Sequence, residues 1–515
     1  MKQNTMLKAM PLAFAAMMTF TGCGANMYAP KMQNNFKNAA PTEGGYEYYE
    51  AEACADDAFA EPEFNTEEYS AITENSFKST ASDPLSTFSA DVDTASYSNL
   101  RRIIRDGGTI PQDAVRIEEM INYFHYNYPE PQSGEPFSVT TEIADCPWNA
   151  STKLMMVGMK AKDIDMQQRK PMNLVFLIDV SGSMYSPDKL PLVQKAFNML
   201  TEVLTEQDRV SIVTYAGSDS VVLEGASGND GIRIREAIDA LEAGGSTAGA
   251  AGINTAYDIA KKYFIDGGNN RIILATDGDL NVGISSEAEL KKLVEKQRKK
   301  GVFLSVLGFG TGNIKDNKME TLADNGNGNY SYIDSEAEAR RVLVEEMGGT
   351  LETVAKDVKF QVEFNPAYIM GYRLIGYENR VMSAEDFADD TKDAGEIGAG
   401  HTVTALYEIA DLNSTMEFAS SDLKYSEGTA SGTENGEYCT VSVRYKEPDG
   451  DESQLLTYPV AETAYRQVMS DNMRFASAVA AFGLVLRDSE YKGTASKDMV
   501  LGMVTENDTA NDQYK

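Results

Sequence analysis

Three residues at alternate positions, Asp179, Ser181 and Ser183, follow directly on the apolar run Leu174–Ile178 in "NLVFLIDVSGS". One carboxylate and two hydroxyls are hard oxygen donors. A second apolar run, "RIILAT", also ends in a carboxylate, Asp277, followed by Gly278 and Asp279. Between the two lies "AGGST" at 243–247, a glycine-rich loop that opens a helix and presents Ser246 and Thr247. Ligands of open α/β sheets bind at the carboxyl ends of the strands, so these three loops can converge at one edge. An extended backbone through 179–183 would put the three side chains on one side, and Gly182 leaves room for a turn. The inventory is two carboxylates and several hydroxyls, without thiolate or imidazole. It suits Mg²⁺ or Mn²⁺ rather than zinc or copper. Two carboxylates balance a divalent ion and leave a position where a partner's carboxylate can bind.

Other chemistries fit less well. Phosphotransferases of the haloacid dehalogenase type need a second Asp two residues after the first, and position 181 is Ser. A serine hydrolase needs Gly two residues before its nucleophile, and Ser181 has Asp179 there. The two histidines are His125 and His401. His401 opens a strand in "GHTVTALYEI" and reads as structural. His125, in "NYFHYNY", reads as packing among aromatics. "GFGTGN" at 308–313 lacks the third glycine of a dinucleotide fingerprint and the Lys of a phosphate loop. "DNGNGNYSYID" at 324–334 has Gly326 where a calcium loop needs an oxygen ligand and reads as a turn-rich connection.

The elements that must position these residues are legible as periodicity. Residues 171–347 alternate strand and helix. "NLVFLI" is continuously apolar, as a parallel strand buried on both faces requires. Leu192, Val193, Ala196, Phe197, Leu200, Val203 and Leu204 mark one helical stripe, with Asp188 as expected N-cap and Pro191 in the first turn. "RVSIVTY", "RIILAT" and "VFLSVLGFG" follow as strands among helices. Repeated βα units predict a doubly wound, mainly parallel sheet. Residues 82–168 predict a smaller α+β segment: helices in "DVDTASYSNLRRIIRDGG" (N-cap Asp93 or Thr94) and "AVRIEEMINYF", then strands "FSVTTEIADC" and "KLMMVGMKA". A metal role for Asp91 and Asp93 is the lesser reading. Residues 350–515 predict a β-rich domain with a late apolar helix, "NMRFASAVAAFGLVLRDS".

A chain of 515 residues exceeds one core, and its net charge of −33 opposes nucleic-acid binding, which needs a positive face. Lys2 and Lys8 precede the apolar stretch Ala9–Phe20 and "TGC", the layout of a bacterial signal peptide over 1–22. Residues 23–81 read as a disordered acidic tether, since Asn38–Phe77 holds no Lys or Arg. Cys54, Cys146 and Cys439 form no disulfide framework, and pairing of Cys146 with Cys439 stays open.

Two resemblances extend this reading. "FTGC" at 20–23 resembles the lipobox of bacterial lipoproteins, with Phe20 in place of the usual Leu. This implies lipidation of Cys23 and an extracytoplasmic protein anchored to, not spanning, a membrane. "DVSGS" with Thr247 and Asp277 resembles the metal-ion-dependent adhesion site of von Willebrand factor A domains. The resemblance implies Ser181, Ser183 and Thr247 as direct ligands of Mg²⁺ or Mn²⁺, with Asp179 and Asp277 binding directly or through water. An acidic residue of a protein partner would complete the shell. "STFSADVDTASYSNLRR", "VRIEEMINYF", "DAGEIGAGHTVTALYEI" and "MRFASAVAAFG" are similar to the flanks of a bacterial family of A-domain lipoproteins. The expectation is a non-enzymatic, metal-dependent binding module of the cell envelope. The alternatives are a scaffold of an envelope complex and a Mg²⁺-dependent hydrolase or phosphotransferase.

Overall fold

The apolar runs do pair as a parallel sheet. The computed structural model describes residues 66–515 apart from 91–92, 166–168, 217, 245–251, 279–286, 347–351, 393, 419–431, 449, 508 and 510–511. The signal peptide, Cys23, most of the tether, Asp91, Ser246, Thr247 and Asp279 therefore lie outside the described residues.

The first flank contains β1 (Lys78–Ser79), β2 (Leu85–Ser89), α1 (Ala95–Arg105), α2 (Ile117–Asn122), β3 (Phe137–Asp145) and β4 (Lys153–Ala161). The central unit begins with β5 (Met172–Asp179), α3 (Leu190–Leu200), β6 (Arg209–Ala216), β7 (Ser218–Ser227), α4 (Gly231–Asp239) and α5 (Gly252–Lys262). It continues with β8 (Asn269–Thr276), α6 (Glu287–Arg298), β9 (Val302–Phe309), α7 (Asp316–Asn325), β10 (Tyr330–Ile333) and α8 (Glu336–Arg340). The second flank contains β11 (Thr353–Phe364), β12 (Ile369–Ile375), β13 (Val381–Met382), β14 (Gly395–Gly398), β15 (Thr402–Asp411), β16 (Glu437–Lys446), β17 (Ser453–Ala461) and the helices Asp471–Arg487 and Lys497–Thr505.

The central sheet has the order β10-β9-β8-β5-β6-β7. Every pair is parallel except β6–β7. β5 and β8 are buried at every position, the reason their middles, Leu174–Ile178 and Ile272–Ala275, read as apolar runs. Phe176 stacks on Phe197 of α3 on one face, at 4.2 Å between ring centroids. Leu177, Tyr215, Tyr257 and Leu274 fill the other. β7 was not expected. It is an edge strand with only two buried residues, Leu223 and Ala226, and carries too little apolar alternation to register.

The local expectations are met in part. Lys189, not Asp188, occupies the N-cap of α3, and Asp188 instead accepts the Ser186 hydroxyl at 2.5 Å. Thr94, one of the two residues expected there, is the N-cap of α1, without a side-chain cap hydrogen bond. Asp93 accepts Tyr330 N at 2.9 Å and pairs with Arg380 at 3.3 Å, so it joins segments rather than caps. Residues 66–79, expected within the tether, are packed: Thr66 N and Glu68 N donate to the carbonyls of Gly312 and Ile314, and β1 pairs with β12.

The flanks interleave. One sheet runs β1-β12-β15-β4-β3 and another β13-β2-β11-β16-β17, so 82–168 and 350–515 contribute neighbouring strands to both. The sheets share a core that includes Phe88, Met155, Val157, Phe360, Tyr407 and Val441. On the other face of β4, Leu154 and Met156 join a second core with α2 and the helix Asp471–Arg487. Alternation along β4 thus serves two cores at once. Cys146 and Cys439 are free, buried in different cores. Among the described residues no helix is long and apolar enough to cross a membrane.

Candidate metal centre

Asp179 is the last residue of β5 and lies in register with Tyr215 of β6. It is fully buried, as is Ser181. The Asp179 carboxylate turns back on its own loop: Oδ1 accepts Ser181 N at 2.9 Å. The chain then leaves the extended conformation. Ser181 is extended, but Gly182–Tyr185 form a 3₁₀ turn, so the extended backbone expected through 183 is not observed. The turn still brings the hydroxyls together, with Ser181 Oγ and Ser183 Oγ 3.0 Å apart. Met184 is buried beneath the turn and holds it down, while Ser183 and Tyr185 face solvent.

Asp277 follows β8, the neighbour of β5, and is 1% exposed. Lys189 Nζ donates to its Oδ2 at 2.8 Å. Sequence reasoning missed this cation. Its signal was a basic residue six positions after Ser183, which nothing local ties to Asp277. Tyr215 stands between the two acids electrostatically. Burial, then the Asp179 carboxylate, push its phenol well above the ordinary range, and Asp277 adds to this. Tyr215 therefore stays neutral beside them.

The third loop reaches the same edge. Gly244 N donates to Val180 O at 2.8 Å, so the start of "AGGST" is stitched to the residue after Asp179. Thr247 itself lies outside the described residues, as does Cys23. Of the expected site residues, Asp179, Ser181, Ser183 and Asp277 end neighbouring strands or their adjoining turn. No cluster of three or more His, Cys, Asp or Glu able to hold a metal occurs among the described residues. The donor set is instead two buried carboxylates and two hydroxyls, all oxygen, which fits a small hard cation.

The histidines belong elsewhere. His125, expected as packing, has a half-exposed side chain and meets Glu346 Oε1 at 3.2 Å through Nε2. Burial pushes the His401 pKa down, against the opposing pull of the Glu346 carboxylate. In "DNGNGN", Asp324 pairs with Arg380 at 2.7 Å and Asn327 donates to Glu396 at 2.5 Å, so these oxygens serve a connection.

Comparison with known proteins agrees with this architecture. The von Willebrand factor type A domain profile matches residues 173–346. A profile described as von Willebrand factor matches 63–156, and one described as the C-terminal region of YfbK matches 349–515. YfbK of Escherichia coli is 46% identical over 441 residues, covering 84% of this chain and 76% of that protein. The protein sll0103 of Synechocystis is 31% identical over 189 residues, 37% of this chain and 44% of that one. A solved von Willebrand factor type A structure from Catenulispora acidiphila has a TM-score of 0.39 at 16% identity, covering 70% of this chain and 82% of that one. With a type A domain set between the two flanks that the other profiles match, the chain belongs to the YfbK family of von Willebrand factor type A domain proteins.

Proposed function

We propose that the type A domain is a metal-dependent protein-binding module. Mg²⁺ or Mn²⁺ is held by Asp179, Ser181, Ser183, Thr247 and Asp277, and a carboxylate of a partner protein completes the shell. The chain is exported and tethered to the cell envelope by lipid on Cys23, and the module turns nothing over. The observation that carries this reading is the meeting of Ser181 Oγ and Ser183 Oγ beside two buried carboxylates on neighbouring strands. The metal supplies a Lewis-acidic position for an oxygen ligand. The chain's own contribution is to fix Asp179 through Ser181 N and to present Ser183 to solvent.

The test is a pull-down from the envelope of the source cell with the full chain as bait. The expected result is a partner retained in Mg²⁺, lost in chelator and lost with Asp179→Ala or the exposed Ser183→Ala. A partner retained through chelation and both substitutions would favour the scaffold reading. Phosphatase or esterase turnover abolished by Asp179→Ala would favour the enzyme.

A further inference from the structure

Lys189 is buried, 8% exposed, although it caps a surface helix. Its stem runs over Gly310, at the end of β9. A Cβ on Gly310 would sit 2.3 Å from Lys189 Cγ and 2.4 Å from Cε. Gly310 has φ +74°, and its carbonyl is held by the Tyr332 hydroxyl of β10 at 2.6 Å. Two strands thus leave a groove for this one side chain, which ends on Asp277 Oδ2 at 2.8 Å. A buried ammonium is costly unless paired, so the groove and the acid specify each other.

The charge balance of the site follows. Asp179 and Asp277 alone would be neutralised by a divalent ion. With Lys189 these three side chains sum to −1 without metal and to +1 with M²⁺. An anion is repelled by the first state and attracted by the second. Resting on the metal-centre reading, we propose that Lys189 is a specificity-determining residue. Its charge weakens binding of the metal alone and leaves the loaded site electropositive, so metal and carboxylate bind together or hardly at all.

The test is Mn²⁺ binding to the full chain, followed by electron paramagnetic resonance, with and without acetate as carboxylate probe. Wild type should bind Mn²⁺ weakly and more tightly with acetate. Lys189→Met should bind Mn²⁺ on the order of tenfold or more tighter without acetate, since a unit charge a few ångströms away is removed. Acetate should then add little. Lys189→Gln keeps a hydrogen-bond donor toward Asp277 without the charge and guards against a Met variant that fails to fold. If charge is what matters, Gln behaves as Met; if Lys189 only orients Asp277, Gln behaves as wild type and the inference is overturned. Equal affinity and equal acetate coupling in all three proteins also overturn it while leaving the metal centre standing. Absence of Mn²⁺ binding to wild type, alone and with acetate, overturns the metal centre and this inference with it.

Discussion

Arg116 Nη1 donates to Glu320 Oε1 at 2.7 Å, joining the residue before α2 in the first flank to α7 of the type A domain. The same guanidinium lies 3.4 Å from Asp316 and 3.6 Å from Glu119, and all four side chains are buried. Three carboxylates around one cation leave negative charge in excess, and Arg380 shares Glu320 from the other side at 3.0 Å. Arg116→Met removes the central cation and strands buried carboxylates. It should lower unfolding stability by about 3–5 kcal/mol, measured by denaturant titration.

The same cluster sets a pH dependence. Burial raises the Glu320 pKa to about 7 against the pull of Arg116 and Arg380, and Asp316 and Glu119 are also raised by burial. A carboxyl whose pKa is raised by folding contributes stability that is full below its unfolded value of 4.5. That stability is lost as pH rises through about 7. Stability should therefore decline between pH 4.5 and 7 from this cluster, and Glu320→Gln should flatten that decline. The readout is the slope of unfolding free energy against pH, compared with wild type. An unchanged slope would show that Glu320 does not carry it.

Ser183 is exposed, and its hydroxyl meets Ser181 Oγ and no deeper group. Ser183→Ala should weaken Mn²⁺ binding while leaving stability within about 0.5 kcal/mol, as surface substitutions do. Parallel metal titration and thermal unfolding check both halves.

Gly310 and Lys189 should be energetically coupled. Gly310→Ala places a side chain at φ +74° and inside the groove that holds the lysine stem. The backbone term alone is about 1–2 kcal/mol. A double-mutant cycle of Gly310→Ala with Lys189→Met should show a smaller loss in the double variant than the sum of the singles. Additive losses would mean the groove has no dependence on its occupant.

Glu67 anchors the end of the acidic stretch. Its side chain is 7% exposed, and it accepts Gly312 N at 3.0 Å and pairs with Arg102 at 3.1 Å. Glu67→Ala takes the acceptor from Gly312 N and the carboxylate from Arg102, which keeps Asn99 Oδ1 at 2.7 Å, and should cost about 1–3 kcal/mol. It should also speed limited proteolysis within residues 66–77, a stretch held to the domain by this contact.

The amino-acid sequence by itself determined the parallel core and the donors at its edge. β5 and β8 read as strands because burial on both faces favours apolar residues through their middles, Leu174–Ile178 and Ile272–Ala275, and Asp179 and Asp277 then stand just past those runs. Burial is a local property, written in side-chain type and period. Partnership is not. That β2 pairs with β11 and β4 with β15, binding the two flanks into shared sheets, depends on contacts across hundreds of residues. The weak pattern of Leu85–Ser89 carries no mark of them. The same holds at the site. Tertiary structure decided that the 3₁₀ turn at Gly182–Tyr185 brings Ser183 to Ser181. It also decided that Lys189, 88 positions from Asp277, is the cation that faces it, because only the folded sheet sets β8 beside β5 and opens the groove at Gly310.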